Sequence, residues 1–276
     1  MCATIYLRQK MRIVNLGSGS KGNCTFLQAG NAKILLDVGF SLPELTKRLN
    51  SIGEIPQNID AIIITHEHTD HIKGLKAFLK KYNPFCYIHE VIADECTCDL
   101  PESKKDKIVK ISSYTFSIGD FRIMPYRLSH DSKVCLGYTF MVGGKKISIA
   151  TDLGYVSQEL LDGMRGSDLV FIESNHDKKM LQGCAYPYIV KQRIMSEQGH
   201  LSNEQAADAI VKLAKQGTRY FVLSHLSENS NTPEQAYLTS AKALENAGFV
   251  LEKDIYLRYS RQDRAGNNFY FSESEG

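Results

Sequence analysis

His66, His68, Asp70 and His71, four side chains able to bind a metal, stand within the six residues His66-Glu67-His68-Thr69-Asp70-His71, directly after the apolar run 61–65. In an extended segment His66 and His68 point the same way, because side chains repeat every two residues. Asp70 and His71 fall where the chain turns into the next helix, so they address a second position close by. With 8 His and 15 Asp in 276 residues, composition alone gives this pattern roughly four times in ten thousand such chains. A solvated polar loop is therefore a poor account of it. The segment is read as a metal site.

Six residues do not close a coordination sphere, so further ligands are expected at other strand ends. His130 follows the apolar run 121–128, Asp152 follows 147–151, and His225 follows 220–224. Backbone pairing would hold each of them rigid. Five His and two Asp without a thiolate suit a borderline divalent ion, with zinc, manganese and iron all admissible. They suffice for two ions with a position open for water, and Asp152 is the natural bridging carboxylate. Two ions about 3.5–4 Å apart acidify a shared water and clamp attacking and leaving oxygens, which is chemistry for hydrolysing a phosphodiester or an ester.

Elements of both kinds must position these groups. Short apolar runs at 12–16, 24–28 and 33–37, separated by turns, predict strands, as do 61–65, 85–88, 114–118, 121–128, 137–142, 146–150, 169–172 and 220–223. Apolar spacing predicts helices over 42–51 and 72–81, and another over 187–196. Ser202 with Gln205 three residues on reads as a capping box opening a helix that runs to Gly217. Thr232-Pro233 opens a further helix that stops at Gly248. No repeat or low-complexity linker divides the chain, so one domain over 1–276 is expected, with 1–10 a possible N-terminal extension.

Composition excludes some functions. The chain has 33 Lys+Arg against 31 Asp+Glu, a net charge of +2, so bulk attraction to nucleic acid or membrane is not expected. No apolar run approaches the roughly 20 residues that span a bilayer, and 1–10 does not read as a signal peptide. Seven cysteines, an odd number without regular spacing, fit free thiols in a reducing cytoplasm. Cys96-Thr97-Cys98 could bind a metal, but a single C-x-C is a weak signal. Lys104, Lys105, Lys107 and Lys110 are diluted by Glu102 and Asp106, and read as a polar loop.

The strand-then-Asp at Leu35-Leu36-Asp37, the hexad, His130, Asp152 and His225 resemble, in order, the motifs of the metallo-β-lactamase superfamily. The resemblance implies an α+β fold, a four-layer αββα sandwich with a dinuclear site on one edge of the sheets. It implies that His66, His68 and His130 bind one ion, that Asp70, His71 and His225 bind the other, and that Asp152 bridges. Asp37 would support the site rather than ligate. The terminal His71 departs from the true β-lactamases and argues against antibiotic hydrolysis.

Gly17-Ser18-Gly19-Ser20-Lys21-Gly22-Asn23, Glu173-Ser174-Asn175-His176-Asp177, Gly199-His200-Leu201-Ser202-Asn203 and Leu223-Ser224-His225-Leu226-Ser227 are similar to the YycJ/WalJ subgroup, whose members are regarded as 5′→3′ DNA exonucleases. The resemblance implies a phosphodiesterase in which a metal-bridged hydroxide attacks phosphorus, with Asp70 and Asp152 catalytic and His200 assisting the leaving group. His200, just before a helix N-terminus where anions are favoured, is alternatively structural. The Gly-Ser loop either cradles a phosphate with backbone N–H groups or is a hairpin turn. Ser18, Ser20, Asn23, Asn175, His176 and Ser202 are the candidate substrate contacts. Lys191 and Arg193 touch a nucleic-acid backbone or form a solvated face. DNA is the expected partner and the cytoplasm the expected location. A small-molecule ester, thioester or cyclic phosphodiester hydrolase on the same site is the alternative activity, and a non-catalytic metal-stabilised adaptor the alternative class.

Overall fold

The structure is a computed structural model that describes residues 11–266 and 268–271; the possible extension at 1–10 lies outside them. The first half of the chain forms β1 (Met11–Gly17), β2 (Cys24–Ala29), β3 (Ala32–Leu36), β4 (Ala61–Ile63), β5 (Phe85–His89) and β6 (Ile108–Ile111). The second half forms β7 (Phe116–Ile118), β8 (Phe121–Leu128), β9 (Cys135–Val142), β10 (Lys145–Ala150), β11 (Leu169–Glu173), β12 (Tyr220–Ser224) and β13 (Tyr256–Tyr259). A last strand, β14 (Asn268–Phe271), returns to pair with β1. The result is two seven-stranded sheets, ordered β14-β1-β2-β3-β4-β5-β6 and β13-β12-β11-β10-β9-β8-β7.

Both sheets change character at the same kind of place. β1, β2 and β3 are antiparallel, whereas β3 through β6 run parallel. Likewise β7 to β10 are antiparallel, and β10 through β13 parallel. Parallel neighbours need crossovers, which are built here from helices. In the first half these are α1 (Leu42–Ser51), α2 (Thr69–Ile72), α3 (Leu75–Lys81), α4 (Glu90–Thr97) and α5 (Glu102–Lys105). In the second half they are α6 (Gln158–Met164), α7 (Lys178–Gly183), α8 (Tyr188–Met195), α9 (Asn203–Lys215) and α10 (Pro233–Asn246). The parallel strands of both sheets therefore present their carboxyl ends, where open α/β sheets place ligands.

The continuous apolar runs are explained by burial on both faces. In β11, Leu169 and Phe171 face a core shared with Phe26, Ile62 and Phe140, while Val170 and Ile172 face a second core with Leu213 of α9 and Leu244 of α10. The helix–sheet–sheet–helix layering is the expected αββα sandwich. The capping box forms as expected, with Ser202 Oγ accepting from Gln205 N (3.3 Å) and Gln205 Oε1 accepting from Ser202 N (2.9 Å).

Two predicted elements are shorter than expected, for reasons tied to the site. The strand over 61–65 leaves the ladder after Ile63, and the Thr65 N–H is donated to Asp37 Oδ1 (2.9 Å). The helix over 72–81 is broken at Gly74, whose N–H is donated to Val38 O (2.8 Å). The strands β6, β13 and β14 and the helices α4 to α7 were not predicted. β6 is interrupted by Lys110, and β14 mixes exposed and half-buried residues, so neither carries a strong apolar period. No helix among the described residues is long and apolar enough to cross a membrane.

Candidate metal centre

Most of the chemistry-bearing side chains sit where the parallel strands stop, and His130 follows the antiparallel β8. Asp37 follows β3, His66 to His71 follow β4, Asp152 follows β10, Glu173 ends β11 and His225 follows β12. Asp37, Asp152 and His225 have φ of 61°, 67° and 53°, and the only other non-glycine residue with positive φ among the described residues is Glu252. Such backbone costs of order 1–3 kcal/mol per residue and persists only where the surroundings impose it. Here it turns three strand-end side chains into one cleft.

Two groups of ligand atoms result, each with its members within 4.8 Å of one another: His66, His68 and His130, and Asp70, His71, Asp152 and His225. In the first, His130 Nε2 lies 3.2 Å from His68 Nδ1. In the second, Asp70 Oδ2 lies 3.6 Å from His71 Nε2 and 3.5 Å from His225 Nε2. Asp152 spans both, with Oδ2 3.1 Å from His71 Nε2, and Oδ1 3.4 Å from His225 Nε2 and 3.9 Å from His130 Nε2.

Partners behind the rings fix which nitrogen faces the cleft. His71 Nδ1 donates to Asp37 Oδ2 (2.7 Å), and His130 Nδ1 donates to Gly199 O (3.1 Å). The Thr65 hydroxyl donates to Asp37 (2.9 Å) and so accepts from His66 Nδ1 (3.0 Å). His200 Nδ1 donates to Glu173 Oε1 (2.7 Å), which also lies 3.6 Å from His225 Nδ1. Burial holds His66 and His130 below the usual imidazole range and therefore neutral. Burial also opposes protonation of His71, but the carboxylates of Asp37 and Asp152 outweigh it and push the ring up to about 10. His225 is raised in the same way, burial being outweighed chiefly by Asp152.

These residues fit a cation. His66 Nε2, His225 Nε2 and Asp152 Oδ2 are buried and make no hydrogen bond; the 3.1 Å approach of His71 to Asp152 is not aligned as one. Buried polar atoms are ordinarily paired. A bare imidazole nitrogen whose other nitrogen is fixed by a hydrogen bond is the form in which histidine binds metal. The His/Asp cluster is thus suited to divalent metal.

The remaining expected site residues divide. Ser18 and Asn175 position His225: Ser18 Oγ accepts from His225 N (2.9 Å), and Asn175 Nδ2 donates to His225 O (3.0 Å). Asn23 Nδ2 lies 3.2 Å from Asp70 Oδ2 and 2.9 Å from His71 Nε2. This approach requires Gly39, where a Cβ would stand 1.7 Å from Asp70 O. Ser20 is exposed and makes no contact with the cluster. The 17–23 loop is a hairpin connection rather than an open phosphate cradle, since the N–H groups of Ser18, Gly19, Gly22 and Asn23 go to Arg261 O, Asn23 Oδ1, Gly19 O and Asp70 O. Ser202 is fully buried, and its hydroxyl caps α9. His176 is buried beside it, with burial taking its pKa down to about 4, and it joins no ligand group. His200 groups with His130 and Asp152, and again with Glu173 and His225.

Sequence reasoning missed Glu173, the buried partner of His200 and His225; its signal was its place at the end of a strand, the same as that of Asp152. It also missed Thr65 and Asp131. Asp131 Oδ1 lies 3.4 Å from His130 Nε2 and 3.9 Å from His68 Nε2, and its other oxygen is held by Arg193. Cys96 and Cys98 enter no metal-competent group among the described residues. Lys104, Lys105 and Lys110 are occupied locally by Tyr82 O, Glu102 and Asp94.

Comparison with known proteins agrees with this geometry. Residues 32–226 match the family described as "Beta-lactamase superfamily domain". The chain is 34% identical over 258 residues to "Exodeoxyribonuclease WalJ" of Streptococcus pneumoniae serotype 2 (strain D39 / NCTC 7466), covering 91% of this chain and 94% of that one. It is also 34% identical over 241 residues to "Exodeoxyribonuclease YycJ" of Bacillus anthracis, covering 85% and 89%. The crystal structure of the metallo-β-lactamase fold protein YhfI from Bacillus subtilis superposes with a TM-score of 0.72 at 17% identity, over 95% of this chain and 100% of that one. With its fold, its strand-end His/Asp cluster and these relatives in agreement, the chain belongs to the metallo-β-lactamase superfamily and, within it, to the group that contains WalJ and YycJ.

Proposed function

We propose that this protein is a metal-dependent phosphodiesterase that digests nucleic acid, with DNA as the substrate and exonucleolytic removal as the mode. The observation that carries this reading is Asp152, a buried carboxylate reaching ligand atoms of both groups. His66, His68 and His130 would hold one divalent ion, and Asp70, His71 and His225 a second, with Asp152 shared between them. Zinc, manganese or iron bound there supplies Lewis-acid chemistry, acidifying water and neutralising charge that builds on phosphoryl oxygens. The choice of DNA follows the two exodeoxyribonucleases, each matched over most of its length.

The chain's own residues complete the site. Glu173 Oε1 accepts a hydrogen bond from His200 Nδ1, which leaves Nε2 to carry a second proton. Burial disfavours a protonated His200, but the adjoining Glu173 outweighs it and raises the pKa. His200 Nε2–H is therefore suited to donating a proton to the departing oxygen. Ser18, Asn23 and Asn175 act by orienting Asp70, His71 and His225. One domain spans the chain in this reading, and the six described cysteines, all free thiols, suit a cytoplasmic enzyme.

The test is digestion of end-labelled DNA and RNA by chelator-stripped protein to which zinc, manganese or iron is returned. Nucleotide release from DNA should be absent after stripping and restored by at least one ion. Hydrolysis of a small chromogenic diester with no cutting of DNA would replace this reading with a small-molecule hydrolase.

A further inference from the structure

We infer that α8, together with Tyr155, forms a stacking platform on which a single nucleic-acid strand lies as it enters the metal cluster. This rests on the nuclease reading above and extends it by naming the form of the substrate.

α8, like the four-residue α5, buries none of its residues. Tyr188 and Ile189 are 76% and 75% exposed, and Met195 is 42% exposed. A surface helix ordinarily hides an apolar face, and an eight-residue helix is marginal on propensity alone. Here its C-terminal end is fixed at the site instead. His200 N donates to Ile194 O (2.9 Å), and Arg193 is paired with Asp131 beside His130. Tyr188 stands six residues before Ile194, roughly 9 Å along the helix. Tyr155, 43% exposed, lies three residues beyond Asp152, and its neighbour Gly154 is packed so closely on the same loop that a Cβ would meet Glu197 O at 2.2 Å. The loop that carries Tyr155 and the segment that leaves α8 are thus packed against each other beside the cluster.

Charge selects the occupant. Residues 178–196 contain Lys178, Lys179, Lys191 and Arg193 and no acidic residue, in a chain whose net charge is only +2. Tyr188 and Lys191 share a helix face, and because Arg193 is already met by Asp131, Lys191 is the cation beside the ring. Flat apolar surface interleaved with cations is how proteins hold single strands: bases stack on the rings and phosphates meet the charges, whatever the sequence. Paired bases in a duplex do not offer their faces, so the platform favours an unpaired end.

The test uses the full-length, metal-loaded protein and a fluorescent oligothymidylate of about 15 nucleotides with phosphorothioate linkages, read by anisotropy. Tyr188→Ala/Ile189→Ala should weaken binding about tenfold or more, whereas Tyr188→Phe should stay within about twofold of wild type. Lys191→Ala should lower the salt slope by about one. A blunt duplex of the same length should bind the double variant within about twofold of wild type. Melting temperature and metal content should be unchanged, since α8 buries nothing. Undiminished single-strand affinity in the double variant overturns the platform while leaving the nuclease reading intact. A wild-type dimer that the double variant dissolves, seen by light scattering, assigns the face to a second copy and also overturns it. A wild type that neither binds nor cuts any oligonucleotide overturns the nuclease reading first and the platform with it.

Discussion

The outer imidazoles, His66, His68 and His130, and the deep group, Asp70, His71, Asp152 and His225, come from the same sheet edges but are held by different physics. Behind the outer rings stand neutral acceptors, the Thr65 hydroxyl for His66 and the Gly199 carbonyl for His130. Burial then keeps both rings unprotonated. Behind the deep rings stand carboxylates, Asp37 for His71 and Glu173 for His225. Although burial opposes it, both deep rings are drawn toward the protonated form. In the proposed metal-binding roles, similar side chains would therefore meet a cation in two ways: the outer group would offer ready lone pairs, whereas the deep group would exchange protons for metal. The deep group is the one built around buried negative charge.

Asp152 joins the two, and its removal is the hardest break. Asp152→Ala takes one shared carboxylate from both groups and leaves His71 and His225 without their closest anion in the cleft. Hydrolysis of DNA should fall by about a hundred- to a thousandfold, as loss of electrostatic stabilisation of this kind does. Metal per chain, measured by elemental analysis, should fall as well. A folded Asp152→Ala protein with near wild-type activity and metal content would show that the two groups work independently.

This division was only partly legible in the sequence. The hexad and the strand-end residues His130, Asp152 and His225 stood out because rare residue types follow apolar runs, and the layered architecture was implied by the resemblance of these motifs to the metallo-β-lactamase superfamily. What supports the rings was harder to see. Asp37 was marked, but Thr65 read as the last residue of a strand, and Glu173 as an ordinary acid after a buried run. Their roles arise from long-range contacts, such as the 2.8 Å bond from Leu153 N to Glu173 Oε2, that no local pattern encodes. Ser202 misled in the opposite direction. A hydroxyl at a helix N-terminus near a site suggests a ligand contact, yet here the capping box consumes it. The edge strands β6, β13 and β14 escaped notice because an edge needs only intermittent apolar residues.

The proton exchange sharpens the comparison next. With His71 titrating at about 10 in the metal-free cluster, an incoming ion at neutral pH must displace its proton. Raising the pH toward 10 removes that competition, so apparent affinity at the deep group should climb about tenfold per pH unit for each proton displaced. His66 and His130, already neutral, make no such demand. Calorimetric titrations of stripped protein at pH 6 to 9, in buffers of different ionisation enthalpy, should resolve one uptake step that releases protons and one that releases few. Two steps with the same pH dependence would erase the distinction between the groups.

The smallest effect is expected at the rim of the outer group. His68 is its most exposed member, 29% accessible, and the acid nearest its Nε2 is Asp131 at 3.9 Å, steadied from α8 by Arg193. A carboxylate behind a metal-binding imidazole typically contributes about 10- to 100-fold in affinity. The long, part-exposed contact here should give less, about three- to tenfold. Asp131→Ala should accordingly weaken metal retention in chelator competition by that amount, with the proton-releasing step unchanged, because Asp131 touches none of the deep side chains. Arg193→Ala should do less still, since it frees Asp131 without removing it. If Asp131→Ala instead costs as much as Asp152→Ala, Asp131 Oδ1, buried and unpaired 3.4 Å from His130 Nε2, is itself a ligand. The outer group would then hold its ion with a carboxylate, as the deep group does, and the electrostatic contrast between them would be lost.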